Sequence, residues 1–117
     1  MFRKLNVRKR YHNKDYPTFI QDYLDLFQEN HKKKDFLQTR FVVFDTETTG
    51  LNCKKDKVIS IAGVGLVNME IKVEDSLELL VKNASSGSSE SIIVHRILKQ
   101  ELLDGLSEVE ALERFLK

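Results

Sequence analysis

The sequence predicts an α/β protein in which an N-terminal helix precedes a three-stranded antiparallel meander and a C-terminal helix. Three observations predict this order: an amphipathic stretch near the N-terminus, three β-rich segments in close succession, and a second amphipathic stretch that runs to the last residue. At 117 residues, 41% of them hydrophobic, the chain can bury one modest core. We divide it into a basic extension with a helix, residues 1–38, and a domain portion, residues 39–117.

The first helix is predicted over residues 17 to 30. Apolar side chains recur there at spacings of three and four, acidic side chains fall off that stripe, and Pro17 suits the first turn. The stripe consists of Tyr16, Phe19, Ile20, Tyr23, Leu24 and Phe27. We expect this aromatic face to dock against the sheet.

The three strands follow. Residues 41–44, FVVF, form an apolar run of β-formers that predicts a strand buried on both faces. After a turn in which Gly50 would supply a positive φ, residues 58–67 and 71–81 read as the second and third strands. Strands so close in sequence favour antiparallel neighbours.

The last third of the chain is predicted to be a loop and two helical segments. Residues 83–91, NASSGSSES, are a polar low-complexity loop with nothing to pack. Residues 99–105 form a helical turn that ends at Gly105, and a capping box at residues 107–110 begins a helix. That helix is still in mid-pattern at Lys117, from which we expect the sequence to be incomplete.

Charge and composition limit the classes of function. Residues 1–40 hold 10 Lys and Arg against 5 Asp and Glu, a net charge of +5, so the other 77 residues carry 9 against 13, a net charge of −4. The basic first fourteen residues, with Phe2 and Tyr11 interleaved, suit contact with a phosphate backbone or a solvated tail. Without a membrane-length apolar stretch or an apolar signal core, a cytoplasmic protein is expected. Cys53 is the single cysteine, which excludes an internal disulfide.

Two carboxylates follow the first apolar strand. Asp45 and Glu47 are two residues apart, and in an extended chain such positions point to the same side. Like charges held together at the end of an apolar strand require an offsetting charge, which a hard cation such as Mg²⁺ or Mn²⁺ supplies best. Two such ions about 4 Å apart can clamp the attacking and leaving oxygens of a phosphodiester. The alternative is that both residues lie in a solvated loop.

The surrounding residues favour the metal interpretation. Residues 45–51 read DTETTGL, and the pattern Asp-x-Glu-x-Thr-Gly arises by chance in on the order of one in a thousand chains of this length. It resembles the first motif of the DEDD exonucleases, the superfamily of the epsilon subunit of DNA polymerase III, ribonuclease T and oligoribonuclease. The similarity to epsilon-like members continues in order through residues 39–117.

This resemblance implies a ribonuclease H-like fold and stepwise hydrolysis of nucleic-acid 3′ ends, as in single-stranded DNA, with two Mg²⁺ or Mn²⁺ ions and a histidine-activated water. By position, Asp45 would bridge both ions, and Glu47 would bind one of them near the terminal 3′-hydroxyl. The backbone around Thr46 and the side chains of Thr48 and Leu51 would contact the terminal nucleotide. Similarity to the epsilon subunit also implies a DNA polymerase subunit as a partner.

His95 falls in the family's substrate-side HGI segment, where Arg96 replaces the glycine. Its alternative role is that of a packed or loop residue. Leu51 likewise has an alternative role, as a cap over a core. Cys53 stands where proline is common.

The family's second and third motifs, HNxxFD and HxAxxD, do not occur in the sequence. They supply the other two aspartates and the catalytic histidine, so we expect a truncated chain with little or no activity. A noncatalytic module that binds nucleic acid or protein is the first alternative. A haloacid dehalogenase-type phosphatase is the second, although that family requires an aspartate at the position of Glu47.

Overall fold

A computed structural model describes residues 15–27, 35–85 and 87–117 of the chain. The elements in chain order are helix α1 (Thr18–Asp25), a short 3-10 helix (Phe36–Gln38), strands β1 (Phe41–Thr48), β2 (Val58–Val67) and β3 (Glu70–Leu80), and helices α2 (Ser89–His95), α3 (Lys99–Leu103) and α4 (Glu108–Leu116). The α/β class is confirmed. The basic segment 1–14 and the end of the predicted first helix lie outside the described residues. Within the described ranges, no helix has the length and apolar character needed to cross a membrane.

The three strands form one antiparallel sheet in the order β1-β2-β3, which confirms the predicted meander. A two-residue turn joins β2 to β3. Its residues, Asn68 and Met69, have φ values of 52° and 62°, the left-handed conformation that hairpin turns of the I′ type require at both central positions. The twist of such a turn matches the twist of the strands, so the hairpin holds the long strands β2 and β3 in register.

Strand β1 lies at an edge of the sheet, and the prediction that it is buried on both faces is wrong. Val43 and Phe44 are 59% and 57% exposed, because β1 pairs with β2 on one side and has no second strand partner within the described part of the chain. An apolar run predicts a strand well, but it does not say which later segment will cover that strand. One contact does cover Phe44: its ring lies 5.0 Å from that of Phe115 on α4, edge to face.

The core lies between α4 and one face of the sheet. One cluster consists of Leu79, Val81 and Ala111, with Leu77, Leu106 and Phe115 packed around them, and the other buried apolar residues are Ile59, Ile61 and Leu102. The predicted capping box begins α4: the Ser107 hydroxyl accepts from the Glu110 amide at 3.3 Å, and the Ser107 amide donates to the Glu110 carboxylate at 3.0 Å. The Ser107 hydroxyl also donates to the Glu110 carboxylate at 2.6 Å, and this hydrogen bond, followed by that of the Ser107 amide, lowers the pKa of Glu110. The cap fixes the start of α4 and hence the side that it turns to the sheet.

Helix α1 packs along α4, and none of its side chains is buried. Its predicted docking on the sheet is limited to Tyr23, which lines a cleft beside Val42 and Phe44. The ring of Tyr23 also meets that of Phe27 edge to face, at 5.2 Å. The aromatic stripe therefore lies on a helix that packs along α4, and one of its residues lines the cleft at the edge of the sheet.

An ion pair ties the start of β1 to β3. The Arg40 guanidinium donates two hydrogen bonds to the Asp75 carboxylate, at 2.7 and 2.8 Å. This pairing lowers the pKa of Asp75 and raises that of Arg40. Asp75 lies over Gly65 of β2, where a Cβ atom would overlap its carboxylate, so glycine is required there. The clamp holds β1 against the hairpin at the end opposite the two predicted metal ligands.

Candidate active site at the end of strand β1

Asp45 and Glu47 project from the same face of the sheet, as their spacing predicts. Their cross-strand partners on β2 are Ala62 and Ser60. Phe44 lies on the other face, against α4, so strand alternation turns the two carboxylates away from the core. Asp45 is exposed and Glu47 is half-buried.

The surroundings of this pair suit a hard cation. Their cross-strand partners Ala62 and Ser60 have small side chains, and Ala62 is exposed whereas Ser60 is buried. Asp45 Oδ1 accepts a hydrogen bond from the Thr46 amide at 2.9 Å, and in the described part of the chain neither carboxylate forms an ion pair with Lys or Arg. Two unneutralised carboxylates on one face are the oxygen-only ligands that Mg²⁺ and Mn²⁺ prefer.

A further acidic residue, Glu78 of β3, lies on the same face. It pairs with Ala62, which in turn pairs with Asp45, so Asp45 and Glu78 are two strands apart, about 10 Å. That distance is too long for the two to share one ion. Accordingly, residues 15–27, 35–85 and 87–117 contain no group of three or more His, Cys, Asp or Glu placed to hold a metal. Within the described residues, the candidate metal site therefore consists of two carboxylates, those of Asp45 and Glu47.

The residues predicted to contact the terminal nucleotide surround the end of β1. A break in the β1–β2 register follows Glu47 directly, and beyond it the Thr48 hydroxyl donates to the Gly50 carbonyl at 2.7 Å. Leu51 is fully exposed (101%), which rules out its alternative role as a cap over the core. The Thr46 side chain lines a groove on the α4 face, so only its backbone lies on the side of the carboxylates.

The turn after β1 is organised by Asp56, a residue that the sequence analysis did not single out. Its carboxylate accepts from the Thr49 hydroxyl at 3.1 Å and from the Asn52 amide at 2.8 Å. The predicted positive φ at Gly50 is wrong, since Gly87 is the only described glycine with that conformation. Gly50 is needed for space instead: a Cβ there would lie 2.6 Å from an oxygen of Asp56.

The polar segment 83–91 packs more closely than predicted. Gly87 has a φ of 100°, and a Cβ on it would lie 2.5 Å from the Thr49 carbonyl oxygen, so its backbone rests on the turn after β1. Helix α2 then begins at Ser89, inside the segment predicted to be loop. A run of small polar residues gives no hydrophobic signal for such a contact, and Gly87 was the one residue that permits it.

His95 is the last residue of α2 and is half-buried. Its Nδ1 accepts a hydrogen bond from the Ile97 amide at 2.9 Å, which requires Nδ1 to carry no proton. In the neutral ring the proton is then on Nε2. The histidine thus has a role in the loop, and Nε2 is a hydrogen-bond donor.

Arg96, which follows His95, has a φ of 59°. A left-handed conformation at this position after a helix favours glycine. We expect Arg96→Gly to raise the free energy of unfolding by about 0.5–1 kcal/mol, because the left-handed cost of about 1–2 kcal/mol exceeds the added entropy cost of glycine. Urea denaturation followed by circular dichroism measures this.

The matched control for that prediction is Arg114→Gly, in the last turn of α4, where the backbone is helical. It should lower the free energy of unfolding by up to about 1 kcal/mol. If both substitutions destabilise the chain equally, the backbone of Arg96 is not strained.

The comparisons with known proteins agree with this geometry. Residues 42–117 match the sequence model of the RNase T-type exonuclease family. A crystal structure of a full-length 3′-exonuclease has a similar fold, with a TM-score of 0.56 and 13% sequence identity over 97% of this chain and 43% of that one. The chain therefore spans less than half the length of that exonuclease, and the ribonuclease H-like fold implied by the sequence is confirmed for the part described. No curated protein sequence matches the chain. Because the family match covers more than half of its residues, the chain belongs to the RNase T-type exonucleases of the DEDD superfamily.

Proposed function

We propose that this chain is part of a 3′–5′ exonuclease of the polymerase III epsilon type, which hydrolyses the 3′ ends of nucleic acid, with single-stranded DNA as its substrate. The observation that carries the proposal is the placement of Asp45 and Glu47 on one open face of β1 in a chain of an exonuclease family. A cytoplasmic location and a polymerase partner belong to the same proposal.

In this function, Asp45 and Glu47 would hold the metal ions at the scissile phosphate. The ions, when bound, would supply positive charge to the attacking and leaving oxygens. Of the two ligands, Asp45 is exposed and Glu47 is half-buried. Neither carboxylate has a competing ion pair among the described residues, so both are available as ligands.

The terminal nucleotide is held by the end of β1 and the turn after it. Leu51 presents a fully exposed apolar side chain to the terminal base, and the backbone around Thr46 and the side chain of Thr48 supply the other contacts. His95, the substrate-side residue that the family resemblance implies, is held in its loop by the hydrogen bond that its Nδ1 accepts from the Ile97 amide. These contacts orient the 3′ end, whereas the two carboxylates lie on the side of the scissile phosphate.

Two carboxylates are too few to fix two ions, since Mg²⁺ is bound weakly where protein ligands are few. The remaining ligands therefore come from outside residues 15–27, 35–85 and 87–117, or from a second chain. We accordingly expect little nucleotide release from the isolated chain.

The test is release of mononucleotides from single-stranded DNA labelled at its 3′ end, with Mn²⁺, by the 117-residue chain. We expect a low rate that Asp45→Ala abolishes and that Glu78→Gln leaves unchanged. The same strand labelled at its 5′ end should release no labelled mononucleotide early in the reaction. Early release from the 5′ end, or release that survives Asp45→Ala, would contradict the proposal.

A folded chain that releases nothing would show that two ligands do not suffice. Salt-dependent DNA binding that persists in Asp45→Ala would instead support the noncatalytic binding module.

A further inference from the structure

We propose that Asp56 is a positioning residue of this site: it holds the turn formed by residues 49–57 in the conformation that presents Leu51 beside the carboxylates of β1. The proposal rests on the proposed function, in which Leu51 meets the terminal nucleotide. It adds a residue that acts through the turn and has no contact of its own with substrate.

The two oxygens of Asp56 bind on either side of Leu51. Oδ1 accepts from the hydroxyl of Thr49, two residues before Leu51, and Oδ2 accepts from the amide of Asn52, the residue after it. One carboxylate therefore anchors both ends of the short segment that carries the leucine. Such charge-assisted hydrogen bonds are about twice as strong as neutral ones.

The rest of the turn keeps Asp56 itself in place. The Thr49 amide donates to the Lys57 carbonyl at 2.9 Å, and the Lys57 amide donates to the Thr49 hydroxyl at 3.0 Å. The Asp56 amide donates to the Asn52 carbonyl at 2.7 Å. With the base of the turn closed in this way, the carboxylate fits against Gly50 so closely that a Cβ there would displace it.

The hydrogen bonds of the turn hold an exposed side chain in a fixed position. Leu51 is fully exposed and gains nothing from burial, so its own packing does not hold the turn. Without the Asp56 contacts, the segment would sample many conformations, and Leu51 would lose its fixed place at the end of β1. A fixed, exposed apolar group beside metal-binding carboxylates is the feature that a terminal nucleobase can use.

Cys53, the only cysteine of the chain, lies exposed in the same turn and provides the reporter. A nitroxide spin label on Cys53 reports the mobility of the turn in the full chain by electron paramagnetic resonance. We expect Asp56→Ala to reduce the ordered population about tenfold, as for the loss of one hydrogen bond to a charged group. Asp56→Asn should have an intermediate effect, because its amide group cannot accept from both donors.

Two further variants separate the role of the carboxylate from general damage. Gly50→Ala should mobilise the label as Asp56→Ala does, and the double variant should be no worse than either, since both remove the same contact. Asp22→Asn on α1 is the matched control and should leave the spectrum unchanged. Circular dichroism establishes that each variant is folded. An unchanged label in folded Asp56→Ala would overturn the proposal.

Contact with the terminal nucleotide is measured with single-stranded DNA that carries 2-aminopurine at its 3′ end, in the presence of Mn²⁺. The fluorescence of this base rises when it unstacks. We expect Leu51→Ala and Asp56→Ala to reduce the fluorescence rise equally, and the double variant to add nothing. A mobile turn with an unchanged fluorescence rise would overturn the functional role of Asp56. No fluorescence rise with the unmodified chain would instead refute the nucleotide contact of the proposed function, while the spin label still decides what orders the turn.

Discussion

Replacing Asp45 by asparagine is expected to remove divalent-metal binding by the chain. With the unmodified protein, sub-stoichiometric Mn²⁺ should broaden the amide resonances of Asp45 and Glu47 and of their cross-strand partners Ala62 and Ser60. Binding should be weak, with a dissociation constant on the order of millimolar, because the described site offers two carboxylates. Asp45→Asn or Glu47→Gln leaves one carboxylate, so the selective broadening should vanish at the same Mn²⁺ concentration.

The control for metal binding is Glu78→Gln. Glu78 lies on the same face but two strands from Asp45, so it is too distant to share the ion. Broadening should persist in this variant at the same Mn²⁺ concentration. Equal loss in all three variants would mean that the ion is attracted by the acidic face as a whole and that β1 carries no specific site.

Replacing Gly105 by alanine is expected to cause a large loss of stability. Its Cβ would lie 2.8 Å from the Lys82 amide nitrogen and 2.9 Å from the Leu80 carbonyl oxygen, and these backbone atoms cannot rotate away. The same two groups bind Leu106, at 2.7 and 2.9 Å, and form the bridge that joins β3 to the segment before α4. We expect a loss of about 2–3 kcal/mol or more in the free energy of unfolding, measured in urea.

Gly63→Ala is the matched control for that result. The nearest atom to its Cβ would be the Cβ of Phe44 at 3.5 Å, an ordinary van der Waals contact, so the change should be tolerated. A Gly105→Ala protein as stable as Gly63→Ala would mean that the β3–Leu106 bridge contributes little to the fold.

The strands and the start of α4 were predictable because each depends on residues that are close together in the sequence. The close spacing of the β-rich segments predicted the meander, and the capping box predicted the start of α4 to the residue. The exposure of β1 was not predictable, since an apolar run looks the same whether one or two strands lie beside it. Within α4, the large apolar side chains Val109 and Leu112 are 57% and 39% exposed, whereas the buried residue is Ala111. A small side chain gives little hydropathy signal even when it is buried.

At the site, strand alternation alone predicted that Asp45 and Glu47 share a face. The role of Asp56 was beyond the reach of pattern analysis, because its partners, Thr49 and Asn52, are brought to it by a turn whose path the sequence does not specify. The backbone contact of Gly87 with Thr49 is of the same kind: it joins segments 38 residues apart through atoms that every residue possesses.

The edge position of β1 links the metal site to local opening of the chain. Amide groups on the open side of β1 have no strand to bind within the described residues, so they should exchange their hydrogens with solvent sooner than those of β2, which is paired on both sides. Asp45 and Glu47 are therefore carried by an edge strand that should open sooner than β2. A cation that binds both carboxylates favours the paired conformation of β1 and slows this exchange. The ions expected to act on a phosphodiester would therefore also stabilise the strand that binds them.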